Sequence, residues 1–337
     1  MILPRTSTSA IGHASDRLAA DRELALVIAC VRAVVDSDGG DRIRTLAGSG
    51  LDWTRVLALA TRHGLRALLE RHLRRLEPAH VPAETMAALH AHVQARTTLS
   101  LAATGHLLRL VDAMNATGLV AMPFKGPALA HELYGHVALR DFADLDILVR
   151  GRDVWRASAM LEAHGFVAAA EIPEARRADV VRDDCVRLFR RDEPPTIVEL
   201  HWSLARRASA VRFDEDAFWR RVRSFPLHGR TVLAPSHEDL LLALCIQGAR
   251  HAWDRLERLA SVAELIRLAP VDWAYVSRQA DLMHCRRMVA LALLLASTLF
   301  ETPLPDDFRG PGDGDPLRSM AAAIASDLHP APIPECP

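Results

Sequence analysis

The chain has 337 residues, half of them apolar and a quarter charged, and 41 basic residues against 42 acidic ones leave a formal net charge of −1. That balance gives no global pull toward nucleic acid or an anionic membrane, and the length suffices to bury a sizeable core in one elaborated domain or two. The longest apolar run, Met288 to Phe300, is too short to span a bilayer, and the five scattered cysteines contain no C-x-x-C, which argues against a disulfide framework or a zinc knuckle. The first residues lack the basic stretch, apolar segment and small-residue cleavage site of a secretory signal, so a reduced, cytoplasmic protein is expected.

In chain order, the Ser/Thr-rich residues 1–15 are expected to be disordered. A helical region over 16–115 follows. Apolar residues recur at helical spacing from Asp16 to Val35 and stop before Asp36-Ser37-Asp38-Gly39-Gly40. Asp52 to Leu76 forms a second stretch, or two short helices broken near Gly64, and Ala83 to Ala116 a third. The texture then changes over 116–234. Strands are expected at 119–124, 144–149, 166–170, 185–190 and 196–202, with helices near 127–134 and 152–164. Mixed strands and helices imply an α/β (α+β) core. Helices resume over 235–300, and 301–337 is a Pro/Gly-rich tail with one short helix at 316–327.

The acidic alternation Asp144-Leu145-Asp146-Ile147-Leu148-Val149 places two carboxylates on one strand face and two apolar side chains on the other. Such a pair belongs either to a solvated strand end or beside a compensating cation, and a hard divalent ion such as Mg2+ meets the second need. Upstream, Phe124-Lys125-Gly126-Pro127 ends a strand and starts a helix, with Pro127 suited to the first helical turn. A helix N-terminus there presents N–H groups to a phosphate. Lys125 is the single lysine of the chain, the other 40 of the 41 basic residues being arginine. Its retention fits a place where a compact ammonium and a planar guanidinium differ. Downstream, Ile197-Val198-Glu199-Leu200-His201-Trp202 brings Glu199 and His201 to one strand face, where a buried carboxylate needs a partner.

Together, Lys125-Gly126, Leu139-Arg140, the Asp144–Val149 strand and Glu199-Leu200-His201-Trp202 resemble the uncharacterised bacterial nucleotidyltransferase family of the polymerase-β-type superfamily. The resemblance spans roughly residues 50–270. It implies a small mixed-sheet nucleotidyltransferase core flanked by N-terminal and C-terminal helical regions. It also implies Mg2+ (or Mn2+) held by Asp144, Asp146 and Glu199, with a nucleoside triphosphate such as ATP on Lys125, Gly126 and Arg140. Glu199 would then serve as general base, with His201 as a further acid/base candidate. Two positions depart from relatives: the glycine motif lacks their serine, and Ser261 stands where they often have aspartate.

The implied reaction is transfer of a nucleotidyl group to an acceptor hydroxyl, the acceptor being a small molecule or peptide rather than nucleic acid. A catalytically silent binding protein of the same fold, or γ-phosphate transfer, are the alternatives. The arginine pairs and triplets, such as Arg220/Arg221/Arg223, are better read as solvated faces, because acidic residues balance them and few aromatics are present to stack bases. No G-x-x-x-x-G-K-[ST], G-x-G-x-x-G or G-x-S-x-G motif occurs.

Overall fold

The computed structural model describes residues 21–76, 80–305 and 315–328. The disorder expected of 1–15, and much of the tail beyond 305, lie outside them. Two compact units are present. The first comprises the described parts of 1–93, 247–270 and 287–337, and the second comprises 94–246 and 271–286.

The first unit is helical. It holds α1 (Arg22–Ala29), α2 (Ser37–Ala47), α3 (Trp53–Arg62) and α4 (Arg66–Leu76), followed by the start of α5 (Ala83–Ala116). Asp21, Asp36 and Asp52 each accept a backbone N–H at the start of a helix, as short acidic side chains do. The expected first helix to Val35 is corrected: α1 ends at Ala29, and Asp36 to Gly40 opens α2, with Gly39 N–H donating to Asp36. Gly64, at φ +70, breaks α3 from α4, a conformation with no steric penalty only for glycine.

The second unit carries the sheet, in the order β1-β2-β5-β4-β3. Its strands are β1 (Ala121–Pro123), β2 (Leu145–Val149), β3 (Val167–Ala168), β4 (Val186–Arg191) and β5 (Thr196–His201). β2 and β5 run parallel and every other pairing is antiparallel. Around them lie α6 (Gly126–Tyr134), α7 (Val154–Ala163), α8 (Arg177–Asp183), α9 (Glu215–Arg220) and the hairpin β6 (Arg223–Leu227)–β7 (Arg230–Ala234). The hairpin, α8 and α9 add to the expected elements, and the strand expected over 166–170 is reduced to two residues.

On one sheet face Leu145, Ile147, Val149, Val198 and Leu200 pack against Leu107, Leu110 and Val111 of α5 and against α7. On the other, Met122 and Leu148 meet Phe218 and Trp219. Burying both faces fixes the strand register, since a one-residue slip would exchange core and site residues.

Helices α10 (His237–Arg250), α11 (Leu256–Leu268), α12 (Trp273–Leu282), α13 (Arg286–Phe300) and α14 (Pro316–Asp327) complete the chain. Among the described residues no helix is long and apolar enough to cross a membrane. Cys30, Cys185, Cys245 and Cys285 are buried, and no disulfide joins them.

Candidate active site

Parallel pairing of β2 with β5 sets Asp146 directly beside Glu199, and Leu145 beside Val198. Side chains alternate along a strand, so Asp146, Glu199 and His201 share a face while Leu145, Ile147, Val198 and Leu200 enter the core. Asp144 occupies the bend just before β2, so the strand begins one residue later than expected, at Leu145.

Lys125 caps α6 from the end of β1, and Phe124 N–H donates to the Asp146 carbonyl at 3.1 Å. That bond draws the Lys125-Gly126 turn onto the first residues of β2. Gly126 takes φ +49, and a Cβ there would stand 3.3 Å from the Asp144 carbonyl oxygen and 3.9 Å from Asp146 Oδ2. Glycine therefore permits the close approach of turn and acidic strand.

Four polar side chains form one linked cluster. Asp146 Oδ1 receives Lys125 Nζ at 2.6 Å and His201 Nε2 at 2.9 Å, and the same imidazole nitrogen lies 3.1 Å from Glu199 Oε2. Facing two carboxylates, Nε2 carries the proton and donates to both. Phe124 packs edge-on against the His201 ring at 5.7 Å.

Burial opposes ionisation of Asp146, but the Lys125 charge and the His201 hydrogen bond outweigh it and hold the carboxyl well below the usual range. The His201 hydrogen bond likewise lowers Glu199. Asp144 behaves in the opposite way. Burial, then the charges of Asp146 and Glu199, push its carboxyl up to about 6.

Three carboxylates against one ammonium leave a local excess of two negative charges. Ligand atoms of Asp146, Glu199 and His201 lie within 4.8 Å of one another, a spacing that suits one metal ion, and with Nε2 of His201 holding its proton the carboxylates are the donors on offer. The mostly oxygen donor set fits a hard divalent cation.

Arg140 follows the turn Val137–Leu139 in extended conformation, and its guanidinium donates to the Asp141 carbonyl at 3.5 Å, at the start of the loop that leads to Asp144. Lys125, Gly126, Asp144, Asp146, Glu199 and His201 are thus drawn together, with Arg140 on the adjoining segment. Two features went unread in the sequence: the ring of Phe124 against His201, and the engagement of the lysine by Asp146. Their signal was adjacency alone, Phe124 being the neighbour of Lys125.

Ser261 is fully buried in α11 and its hydroxyl donates to Glu257 O at 2.8 Å, so the position contributes no charge.

Comparison with known proteins adds three findings. A solution structure of the antibiotic-resistance factor ANT(2'')-Ia is similar at 15% identity and a TM-score of 0.39, covering 56% of this chain and 98% of that one. No curated protein matches the sequence. A family model described as uncharacterised nucleotidyltransferase matches residues 49–301, most of the chain and the whole acidic site. The chain therefore belongs to the uncharacterised nucleotidyltransferase family, and it is a transferase.

Proposed function

We propose that the protein transfers a nucleotidyl group from a nucleoside triphosphate, ATP or a relative, to the hydroxyl of a small molecule or peptide. The observation that carries this reading is the pairing of Asp146 with Glu199 across parallel strands, with Asp144 two residues before and the Lys125-Gly126 turn against them. A divalent ion, Mg2+ or Mn2+, held by Asp144, Asp146 and Glu199 would neutralise phosphate charge and acidify the acceptor hydroxyl.

The chain's own residues have separable tasks. Glu199 is more open than Asp146, with side chains 31% and 4% exposed respectively, and so is the carboxylate placed to take the acceptor proton. His201 Nε2 is committed as a donor to both carboxylates, which makes the imidazole a positioning residue rather than the base. Lys125, Gly126 and the start of α6 would receive the phosphates, with Arg140 supplying a further positive charge. In the reaction the acceptor oxygen bonds to the α-phosphorus, the bond from that phosphorus to the bridging oxygen breaks, and pyrophosphate departs with its electron pair.

The test is label transfer, with α-labelled and γ-labelled triphosphates in parallel, Mg2+, a lysate fraction as acceptor source and Asp146→Asn as control. Label moving from the α position alone, and lost in Asp146→Asn, is the expected result. Movement from γ alone would replace the reaction with phosphoryl transfer at the same residues. Nucleotide binding without transfer from either position, across acceptor fractions, would leave a silent member of the fold.

A further inference from the structure

A cleft of about 660 Å3 opens within the second unit, between the first half of α5 there, the Phe142–Leu145 segment and the Pro194–Ile197 turn, and Asp144 is one of its lining residues. That volume suits a small organic molecule or a few residues of peptide. Its middle is apolar. Leu99 and Leu101 are 59% and 42% exposed on α5, and Pro194 and Pro195 face the same space. Ser100 beside them is 1% exposed, and its hydroxyl is buried without a hydrogen-bond partner among the described residues, a group that a bound molecule would satisfy.

The charges are arranged unequally. Asp144 supplies the carboxylate, whereas Arg96, another lining residue, is already paired with Asp141 at 3.3 Å. Arg109 lines the cleft as well, and Arg191 donates to Nδ1 of the lining His106 at 3.1 Å. Burial, then the charges of Arg191, Arg109 and His164, push His106 down to about 4, so this imidazole is neutral and accepts. Arg191 in turn is disfavoured as a cation by burial and by Arg109. Among the described residues neither Arg109 nor Arg191 has a carboxylate partner, and Arg191 Nε is a buried donor left unpaired. Arg109 in the lining, with the Arg191 charge behind the lining His106, makes this end of the cleft favourable to an oxyanion.

We propose that this cleft binds the acceptor, and that the acceptor is an amphipathic hydroxyl compound with an apolar stem and a terminal carboxylate. Arg109 holds the carboxylate, favoured by the Arg191 charge behind His106, while Leu99, Leu101 and the two prolines cover the stem and the hydroxyl lies at the Asp144 end. β4 stands two strands from β2, so the stem spans on the order of 10 Å. A polycationic acceptor is excluded by the same pair of arginines. The assignment of this ligand as acceptor rests on the nucleotidyl-transfer reading, whereas its binding does not.

Binding and transfer are therefore measured separately on the full chain, with ω-hydroxydecanoate as probe and its methyl ester as the neutral control. By calorimetry the acid binds and the ester does not. Arg109→Gln, a change at an exposed position, weakens the acid by at least about tenfold, whereas Asp146→Asn leaves its affinity intact. Equal binding of acid and ester, or unchanged affinity in Arg109→Gln, would overturn the carboxylate site. With α-labelled ATP and Mg2+ the label then appears on the acid and not on its ester, and Arg109→Gln raises KM with little change in kcat. An acid that binds through Arg109 but gains no label, while a lysate acceptor does, would overturn its role as acceptor. Absence of label on every acceptor, with Arg109-dependent binding retained, would instead count against the nucleotidyl-transfer reading and leave the cleft's ligand class standing.

Discussion

Lys125 Nζ lies 2.6 Å from Asp146 Oδ1, so the single lysine of the chain is ion-paired with the most enclosed carboxylate of the site. The ammonium also sits 5.4 Å from the centre of the Phe124 ring, and a planar guanidinium would meet the same two partners with a different geometry. Lys125→Arg is expected to keep the fold and lower kcat by roughly a hundredfold, because of that change in geometry. Lys125→Met strands the Asp146 charge and is expected to cost about 2–4 kcal/mol, read from denaturant unfolding of the metal-free protein. Adding Asp146→Asn to Lys125→Met should restore most of that loss. A double variant no more stable than Lys125→Met would show that the pair does not act as one unit.

Asp144 gives the site its pH dependence. A divalent cation must displace a proton from a carboxyl raised to about 6, so apparent Mn2+ affinity should fall as pH drops below that value and level off above it. Asp144→Asn should bind Mn2+ more weakly and lose this inflection, as followed by the paramagnetic signal of free Mn2+. Stability of the metal-free protein runs the other way. A raised native carboxyl favours the folded state at low pH and loses that advantage as pH climbs from the unfolded value of 3.8 through about 6. At neutral pH Asp144→Asn should therefore stabilise the metal-free protein by roughly 1–2 kcal/mol.

Gly126 tests the turn without touching a charge. Its positive φ and the 3.3 Å approach to the Asp144 carbonyl leave alanine both strained and crowded. Gly126→Ala should lower kcat/KM about tenfold or more while a Tm shift of only a few degrees reports an intact fold. Wild-type kinetics in this variant would mean that the turn does not set the distance between phosphate and acidic strand.

Local chemistry explains why the acidic strand was legible and its surroundings less so. Period-two alternation marks Asp146 and Glu199 on their own strands, but their pairing joins residues 53 apart across a parallel ladder, which no local pattern encodes. The family resemblance supplied that link. The β6–β7 hairpin escaped notice because its two-residue turn is His228-Gly229, with φ of 47° and 75°, rather than the usual Asn-Gly or Asp-Gly. Gly39-Gly40 suggested a helix end, yet Asp36 caps them into the first turn of α2. Arg109 lines the cleft and Arg191 reaches its lining His106 from far along the chain, so this grouping of charges had no sequence signal at all.

In the first unit, Gly248 on α10 lies under Trp253, a fully buried ring, and a Cβ at this glycine would stand 2.1 Å from it. The tryptophan itself is at φ +55 and Ala252 at φ +49, so the backbone is bent to press the ring onto the helix. Gly248→Ala should destabilise the protein by about 3 kcal/mol through overpacking, despite alanine's better helix propensity. Adding Trp253→Leu should relieve the clash, and if Gly248→Ala is as costly on the leucine background the ring contact is not the cause.

His63 makes the same unit sensitive to acid. Its Nδ1 accepts the Leu256 N–H at 3.3 Å, and its Nε2 lies 3.0 Å from the Leu328 carbonyl, so the neutral tautomer with hydrogen on Nε2 satisfies both partners. A second proton would have to replace the Leu256 bond with an N–H facing an N–H. Burial, despite the Leu328 bond, pushes the imidazole down to about 4 from 6.5. A lowered native value means that the unfolded chain takes up the proton first. The stability this residue contributes is therefore present above pH 6.5 and is lost as pH falls through 6.5 toward 4. The full interval corresponds to roughly 3 kcal/mol. Equilibrium unfolding at pH 7.5 and pH 4.5 should show that loss in the wild type. His63→Gln, which keeps a donor and an acceptor but does not titrate, should be less stable at pH 7.5 yet lose less between the two values. An equal loss in both proteins would place the acid sensitivity elsewhere, with the buried His72, also lowered by burial, as the next residue to replace.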